Sequence, residues 1–177
     1  MMRRSIGNSF SRVGTILHLG AGQPPPIQDY LSAGCEHLVL IDPDPAVVRA
    51  IARIGSSRGG VRAVCATPAL RDGEGREVAL YAYRLAEAEF LAPSEAAAEP
   101  ETRLCTGRSL RAPTLDIPEM LEQAALPPDG AHWLVVDTPG GRAALLQRLS
   151  RHGALDLFSY VSIIAGRWTW GSQDESE

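Results

Sequence analysis

The chain has 177 residues and a mass of 19.0 kDa, with 45% hydrophobic and 21% charged residues, which predicts a folded globular protein of one domain, or at most two very small ones, with a substantial core. Its net charge of -4 and pI near 5.6 argue against a nucleic-acid or anionic-membrane surface, and no apolar run is long enough for a bilayer span. All 17 basic residues are arginine, which excludes chemistry that needs a catalytic or phosphate-binding lysine. We expect no signal peptide, because residues 1–14 contain three arginines with no apolar block after them. The three scattered cysteines form no disulfide or metal pattern, so we expect a cytoplasmic protein with reduced thiols.

Apolar runs and turn residues predict alternating strands and helices in the first third of the chain. Each apolar run is short and ends in glycine or aspartate, as buried parallel strands do. Strand, helix, strand and helix in so few residues predict a parallel sheet covered by helices. These elements are, in order, a strand at 15–19, a short helix at 27–34, a strand at 37–41 and a helix at 46–54.

The rest of the chain continues the alternation around one unusual segment. Residues 86–101 are rich in alanine, glutamate and proline, and we expect them to form a loop or short helix over one face. Asp116 with Glu119 three residues on resembles a capping box at a helix start. The remaining predictions are strands at 61–66 and 77–84, a helix at 115–126, a strand at 132–136, a helix at 142–151 and a last strand or strand pair at 155–165.

Together these elements predict an α/β fold with a Rossmann-like, doubly wound and mostly parallel sheet in a single domain. The domain is expected to span 15–167, after an N-terminal extension at 1–14. The final segment, 168–177, is predicted to be an acidic tail that contains Trp168 and Trp170, two aromatic residues suited to a subunit contact.

Several candidate site residues follow the predicted strands. In an open parallel sheet, ligands bind beyond the carboxyl ends of the strands where the strand order reverses. Gly20 and Gly22 would let a ligand approach the backbone, and Asp42 lies about 20 residues further on, the spacing at which a carboxylate meets ribose hydroxyls. Asp137 ends a later strand. A turn followed by a helix-capping aspartate explains the same pattern without a ligand, and this alternative stays open.

Three segments of the chain form a set whose order and spacing are informative. The first is the glycine turn with Ile41-Asp42-Pro43-Asp44-Pro45 after the second strand. The second is the Arg71-Asp72-Gly73-Glu74-Gly75 turn. The third is Pro113-Thr114-Leu115-Asp116, which is followed after a helix by Leu134-Val135-Val136-Asp137-Thr138-Pro139-Gly140. Together these segments resemble class I S-adenosylmethionine-dependent methyltransferases of the FkbM type. The resemblance covers roughly residues 15–165 and implies the Rossmann-like fold of that class.

The resemblance implies S-adenosylmethionine as cofactor, bound by Gly20, Ala21, Gly22 and Asp42. Methyl transfer requires mainly alignment of the cofactor with a nucleophile, and a general base helps when an oxygen is methylated. Asp137 is then the first candidate for a catalytic residue and His18 the second. Each residue also has a purely structural alternative. Asp137 could form a turn or cap a helix, and His18 could be buried with its hydrogen bonds made to neighbouring backbone.

The chain departs from the family pattern at four positions, which motivates a second function. His18 stands where the family has an acid, and Pro24, Val135 and Pro139 replace a glycine, a lysine and a glutamate. A methyltransferase-like module that has lost catalysis and acts as a binding or assembly subunit is therefore the alternative.

If the chain is an enzyme, its expected partner is a small hydroxylated acceptor. If it is an inactive module, its expected partner is a protein. A homo-oligomer is possible in either case. A third hypothesis is a nicotinamide-dependent oxidoreductase. The glycine turn argues against it, because the turn lacks the third glycine of the dinucleotide-binding motif. No metal site is expected.

Overall fold

The computed structural model describes residues 13–20, 27–57, 59–85, 88–93, 105–138 and 141–164. In chain order the elements are β1 (Val13–Leu19), α1 (Ile27–Ser32), β2 (His37–Asp42), α2 (Pro45–Gly55), β3 (Val61–Cys65), β4 (Thr67–Pro68), β5 (Glu77–Leu85), β6 (Ala88–Pro93), β7 (Cys105–Leu115), α3 (Ile117–Ala124), β8 (Ala131–Val136), α4 (Arg142–Arg151), a 3-10 helix (Ala154–Leu157) and β9 (Tyr160–Ile163).

The main sheet has five strands, all parallel, in the order β3-β2-β1-β8-β9. Strands β2 and β3 therefore lie on one side of β1, and strands β8 and β9 lie on its other side. The order reverses between β1 and β8, which is where an open α/β sheet forms its ligand crevice. The predicted α/β architecture with a mostly parallel central sheet is confirmed.

Side-chain alternation along the strands divides the core into two clusters, one on each face of the sheet. Because successive strand residues point to opposite faces, Leu17 and Leu19 pack with α3 and α4, whereas Ile16 packs with α1 and α2. Both faces of the sheet are thus covered by helices. Examples of the first cluster are Val39, Leu134, Met120 and Leu145, and of the second Leu38, Leu40, Tyr30 and Ile51.

A second sheet of four strands, in the order β4-β7-β5-β6, lies in the chain between β3 and α3. The prediction of a loop or short helix at 86–101 was wrong for Ala88–Pro93, which pairs antiparallel with β5 from Leu80↔Pro93 to Leu85↔Ala88. The alanine- and glutamate-rich composition gives no strand signal, so this pairing depends on β5 alongside it. Residues 94–101 lie outside the described part.

The described ends of the domain differ slightly from the predicted ones. β1 begins at Val13, so the first sheet includes residues assigned to the expected extension. The predicted last strand at 155–165 is a 3-10 helix followed by β9, because only Tyr160–Ile163 reaches β8 for parallel pairing. The segment 1–12 and the tail with Trp168 and Trp170 lie outside the described residues.

β9 forms one edge of the main sheet, and apolar side chains are exposed there. Among the described residues, the large exposed apolar side chains all lie in this region: Leu157, Val161, Ile163 and Ile164. The homo-oligomer stays a prediction. In the described part of the chain, every helix is too short or too polar to cross a lipid bilayer.

The predicted capping box of α3 is confirmed. The Asp116 carboxylate accepts from the Glu119 backbone N–H at 2.8 Å, and the Glu119 carboxylate accepts from the Asp116 N–H at 3.0 Å. Each bond satisfies a helix-terminal donor that would otherwise have only water.

We expect Asp116→Ala to lower the free energy of unfolding by about 1 kcal/mol, because one helix-terminal N–H loses its acceptor. Urea unfolding followed by circular dichroism measures the change. Asp129→Ala, at an exposed loop residue, is the matched control and should change the free energy of unfolding by less than about 0.5 kcal/mol. Equal effects of the two substitutions would contradict the cap assignment.

Candidate functional site

The carboxyl ends of β1, β2 and β8 converge at Gly20. The Gly20 N–H donates to the Ile41 carbonyl at 2.8 Å, and the Asp137 N–H donates to the Leu19 carbonyl at 2.8 Å. Gly20 has φ +79°, and a Cβ placed there would overlap the Asp137 carbonyl oxygen. Only glycine permits both this backbone conformation and this close approach of β1 to β8. The crevice at the reversal of strand order therefore has Gly20 at its base.

Asp42 ends β2, as predicted, and its side chain is buried with 6% exposure. Its Oδ1 accepts from the Asp44 N–H at 2.7 Å, and Asp44 in turn accepts from the Ala46 N–H at 2.7 Å to cap α2. The carboxylate is thus held at the strand end by a local turn and does not extend into solvent.

An ion pair joins the second sheet to this edge of the main sheet. Arg108 on β7 places Nη2 2.9 Å from Asp44 Oδ2. Because Asp44 follows Asp42 by two residues, this contact fixes the turn beside the crevice from the side of the second sheet. The sequence gives no signal for it, since 64 residues separate the partners.

His18, the predicted alternative to Asp137, is completely buried near the end of β1. Burial lowers its pKa to about 4, and a hydrogen-bond interaction with the Gly20 backbone opposes this shift, so the imidazole is neutral at physiological pH. The His18 Nδ1 and Tyr30 Oη atoms lie 2.8 Å apart in a hydrogen bond. The other ring nitrogen, Nε2, is buried and has no contact of hydrogen-bond geometry within the described structure.

Tyr30 on α1 is a further candidate site residue, which the sequence analysis did not identify. Its ring packs edge-on against His18 and Trp133, with centroids 5.6 Å and 5.7 Å away. Burial, and after it the charge of Asp137, raises the pKa of Tyr30, so the phenol keeps its proton. A tyrosine on the buried face of a helix needs a hydrogen-bond partner, and that requirement was the available signal.

Asp137 follows β8, is half-buried, and lies with its backbone against Gly20. Burial raises its pKa, and the charge of Arg142 at the start of α4 acts in the opposite direction. Arg142 Nε also donates to the Thr138 carbonyl at 3.1 Å, which ties the start of α4 to this loop. A carboxylate with a raised pKa in a crevice suits proton acceptance from a bound hydroxyl.

Strand register explains which predicted residues come together. His18 pairs with Val135 between neighbouring strands, so Asp137, two residues beyond Val135, follows it on the same face of the sheet. His18, Tyr30 and Asp137 therefore share one side of the crevice, with Asp42 at the adjacent strand end beyond Gly20. The predicted cofactor residues Ala21 and Gly22 lie outside the described residues.

The described residues contain no group of three side chains arranged to hold a metal ion. Fold and site together define an α/β protein that carries polar side chains at the reversal point of a parallel sheet, where such sheets bind ligands. No protein-family model, curated protein or solved structure matches the chain.

Proposed function

We propose that the chain binds S-adenosylmethionine at the crevice beside Gly20 and transfers its methyl group to a small hydroxylated acceptor. The observation that supports this most directly is Asp42, a buried carboxylate held at the end of β2 next to the reversal of strand order. A carboxylate in that place accepts from the two ribose hydroxyls of a nucleoside.

The residues present fit such a cofactor. Asp42 offers a buried carboxylate for the ribose, and His18 Nε2 is a second buried polar atom, without a hydrogen bond of good geometry among the described residues. The cofactor, when bound, supplies an activated methyl group. Asp137 takes the proton from the acceptor hydroxyl, aided by its raised pKa, and the crevice walls align the hydroxyl and exclude water.

We expect Asp42→Asn to weaken binding of S-adenosylmethionine about tenfold, because the substitution keeps an acceptor for the Asp44 N–H and removes the charge. Calorimetric titration measures the dissociation constant. Asp156→Asn, at an exposed residue of the 3-10 helix, is the matched control and should leave it unchanged. Absence of binding to the folded wild-type protein at millimolar cofactor, or equal affinity of Asp42→Asn, would refute the proposal.

A second candidate is a methyltransferase-like module without catalysis, which acts as a binding or assembly subunit. His18 favours it, because a neutral, buried imidazole stands where the resembled family has an acid. The two are separated by incubating the protein with S-adenosylmethionine and a panel of small alcohols and phenols, and measuring the S-adenosylhomocysteine that methyl transfer leaves. Turnover that Asp137→Asn abolishes favours the enzyme. Cofactor binding with no turnover on any acceptor, together with a stable complex in solution, favours the module.

A further inference from the structure

The outer edge of β9 has backbone groups that point away from the main sheet. The Ile164 N–H donates to the Val136 carbonyl of β8 at 2.9 Å. Because N–H and C=O groups alternate in direction along a strand, those of Val161 and Ile163 are directed away from β8. No further strand pairs with this edge in the part of the chain that the structure describes. Such an edge is a template for another strand.

The side chains of the same two β9 residues are exposed. In the strand register Val161 is opposite Leu134 and Ile163 is opposite Val136, so each pair lies on one face of the sheet. The two β8 residues are completely buried in the core cluster that includes α3 and α4, whereas Val161 and Ile163 are 43% and 50% exposed. Among the described residues, the helices on this face therefore cover β8 and leave β9 uncovered.

The sequence that follows β9 contains a segment with the matching pattern. Trp168 and Trp170 are two residues apart, as the two exposed residues of β9 are, and Thr169 lies between them. Tryptophan and threonine both favour strands. Four residues, 164–167, separate this segment from β9 and include Gly166, which suits a loop. Loops of four residues commonly join the two strands of an antiparallel hairpin.

We propose that residues 168–170 pair antiparallel with β9 of the same chain and cover the exposed edge of the main sheet. In this register Trp168 is opposite Ile163. Trp170 is then opposite Val161. Both pairs use the outward-directed backbone groups of β9, and both indole rings lie on the face where the β9 side chains are exposed. A register shifted by one residue would turn both indole rings to the other face.

A second copy of the chain is the competing occupant of this edge. Pairing of two β9 strands would join four residues from each copy, whereas a stable interface takes about 20 to 30 residues a side. The segment 168–170 is already linked to β9 by a short loop, so its effective concentration at the edge is high without any association. An antiparallel edge strand on an otherwise parallel sheet is also a common arrangement.

Hydrogen exchange of the β9 amides, followed by nitrogen-15 NMR on the full chain, tests the proposal. In the wild type we expect protection at all four residues from Val161 to Ile164. The amides of Ser162 and Ile164 are directed to β8 and are protected with or without the added strand. The amides of Val161 and Ile163 are protected only when another strand pairs with the edge.

The double variant Trp168→Ser/Trp170→Ser removes the apolar contacts that would hold the added strand. We expect it to reduce the protection of the two outward-directed amides at least about tenfold, and to leave the two inward-directed amides unchanged. Asp174→Ser/Glu175→Ser, which lies beyond the paired segment, is the matched control and should change none of the four.

Two exchange results overturn the proposal. The first is fast exchange of Val161 and Ile163 in the wild type while Ser162 and Ile164 are protected. The second is protection that increases with protein concentration, since it would identify a second copy as the occupant.

A further measurement on the wild type tests the register without any substitution. Ser162 and Thr169 are opposite each other at a position without backbone hydrogen bonds, where the Cα atoms of an antiparallel pair are about 4.5 Å apart. We expect a nuclear Overhauser contact between their α protons at a concentration where the chain is monomeric. Absence of this contact overturns the proposed pairing.

Discussion

Gly20→Ala is expected to lower the free energy of unfolding by about 3 to 5 kcal/mol. Two costs add in this substitution. Alanine must adopt φ +79°, and its Cβ would overlap the Asp137 carbonyl oxygen, a backbone atom that parallel pairing of β1 with β8 holds in place. Because neither strand can shift without breaking the central pairing, the overlap is not easily relieved. Guanidinium unfolding monitored by circular dichroism measures the effect.

Gly34→Ala is the matched control, because Gly34 has φ +83° with open space around the added Cβ. Gly34→Ala should lower the free energy of unfolding by about 1 to 2 kcal/mol, which is the cost of the left-handed backbone conformation alone. A loss at Gly20 no larger than at Gly34 would show that the ends of β1 and β8 do not approach each other as described, and the crevice would lose its base.

Arg148→Met is expected to lower the free energy of unfolding by about 2 kcal/mol. Arg148 on α4 is buried with 3% exposure, and its guanidinium bonds the Ala69 carbonyl and lies 2.9 Å from the Asp72 carboxylate. These contacts hold α4 against the connection between β4 and β5, two strands of the second sheet. Methionine keeps much of the apolar stem but leaves the buried carbonyl without its donor. Thermal and urea unfolding both report the loss.

Arg151→Met is the control, since Arg151 approaches the same carboxylate at 3.4 Å but is exposed. An exposed pair contributes little, so the change should stay within about 0.5 kcal/mol. Comparable losses for the two arginines would mean that the position of Arg148 in the core does not matter.

The Asp72 contact also has a pH dependence. The hydrogen bond from Arg148 lowers the pKa of Asp72 below its usual 3.8, so the ionised form is favoured in the folded protein. The stabilisation is therefore complete above the unfolded-state pKa and is lost as the pH falls through the lower folded-state value. The difference in stability between the wild type and Arg148→Met should narrow below about pH 4. A difference that widens on acidification would contradict this assignment.

The sequence predicted those parts of the fold that depend on residues close together in the chain. The helix at 142–151 appears with the predicted bounds, and the capping box at Asp116 forms as expected, because helix periodicity and caps act over a few residues. The strand Ala88–Pro93 was missed because its pairing with β5 carries no such local pattern.

The candidate site was predicted in part for the same reason. His18, Gly20, Asp42 and Asp137 were found because each lies where an apolar run ends, and parallel strands bring those ends to one edge. Their roles in catalysis and cofactor binding stay predictions. Tyr30 was missed as a site residue because its contact with His18 depends on how α1 packs on the sheet.

The sequence by itself determined the alternation of strands and helices, the glycine at the first strand end and the acidic residues after two later strands, since these depend on neighbouring residues. Tertiary structure alone decided that the Nδ1 of His18 meets Tyr30 while its Nε2 stays unsatisfied, and that Asp72 pairs with Arg148 across 76 residues. The physical reason is that desolvation and hydrogen-bond partners come from whatever packs alongside a side chain, and a linear pattern does not specify those neighbours.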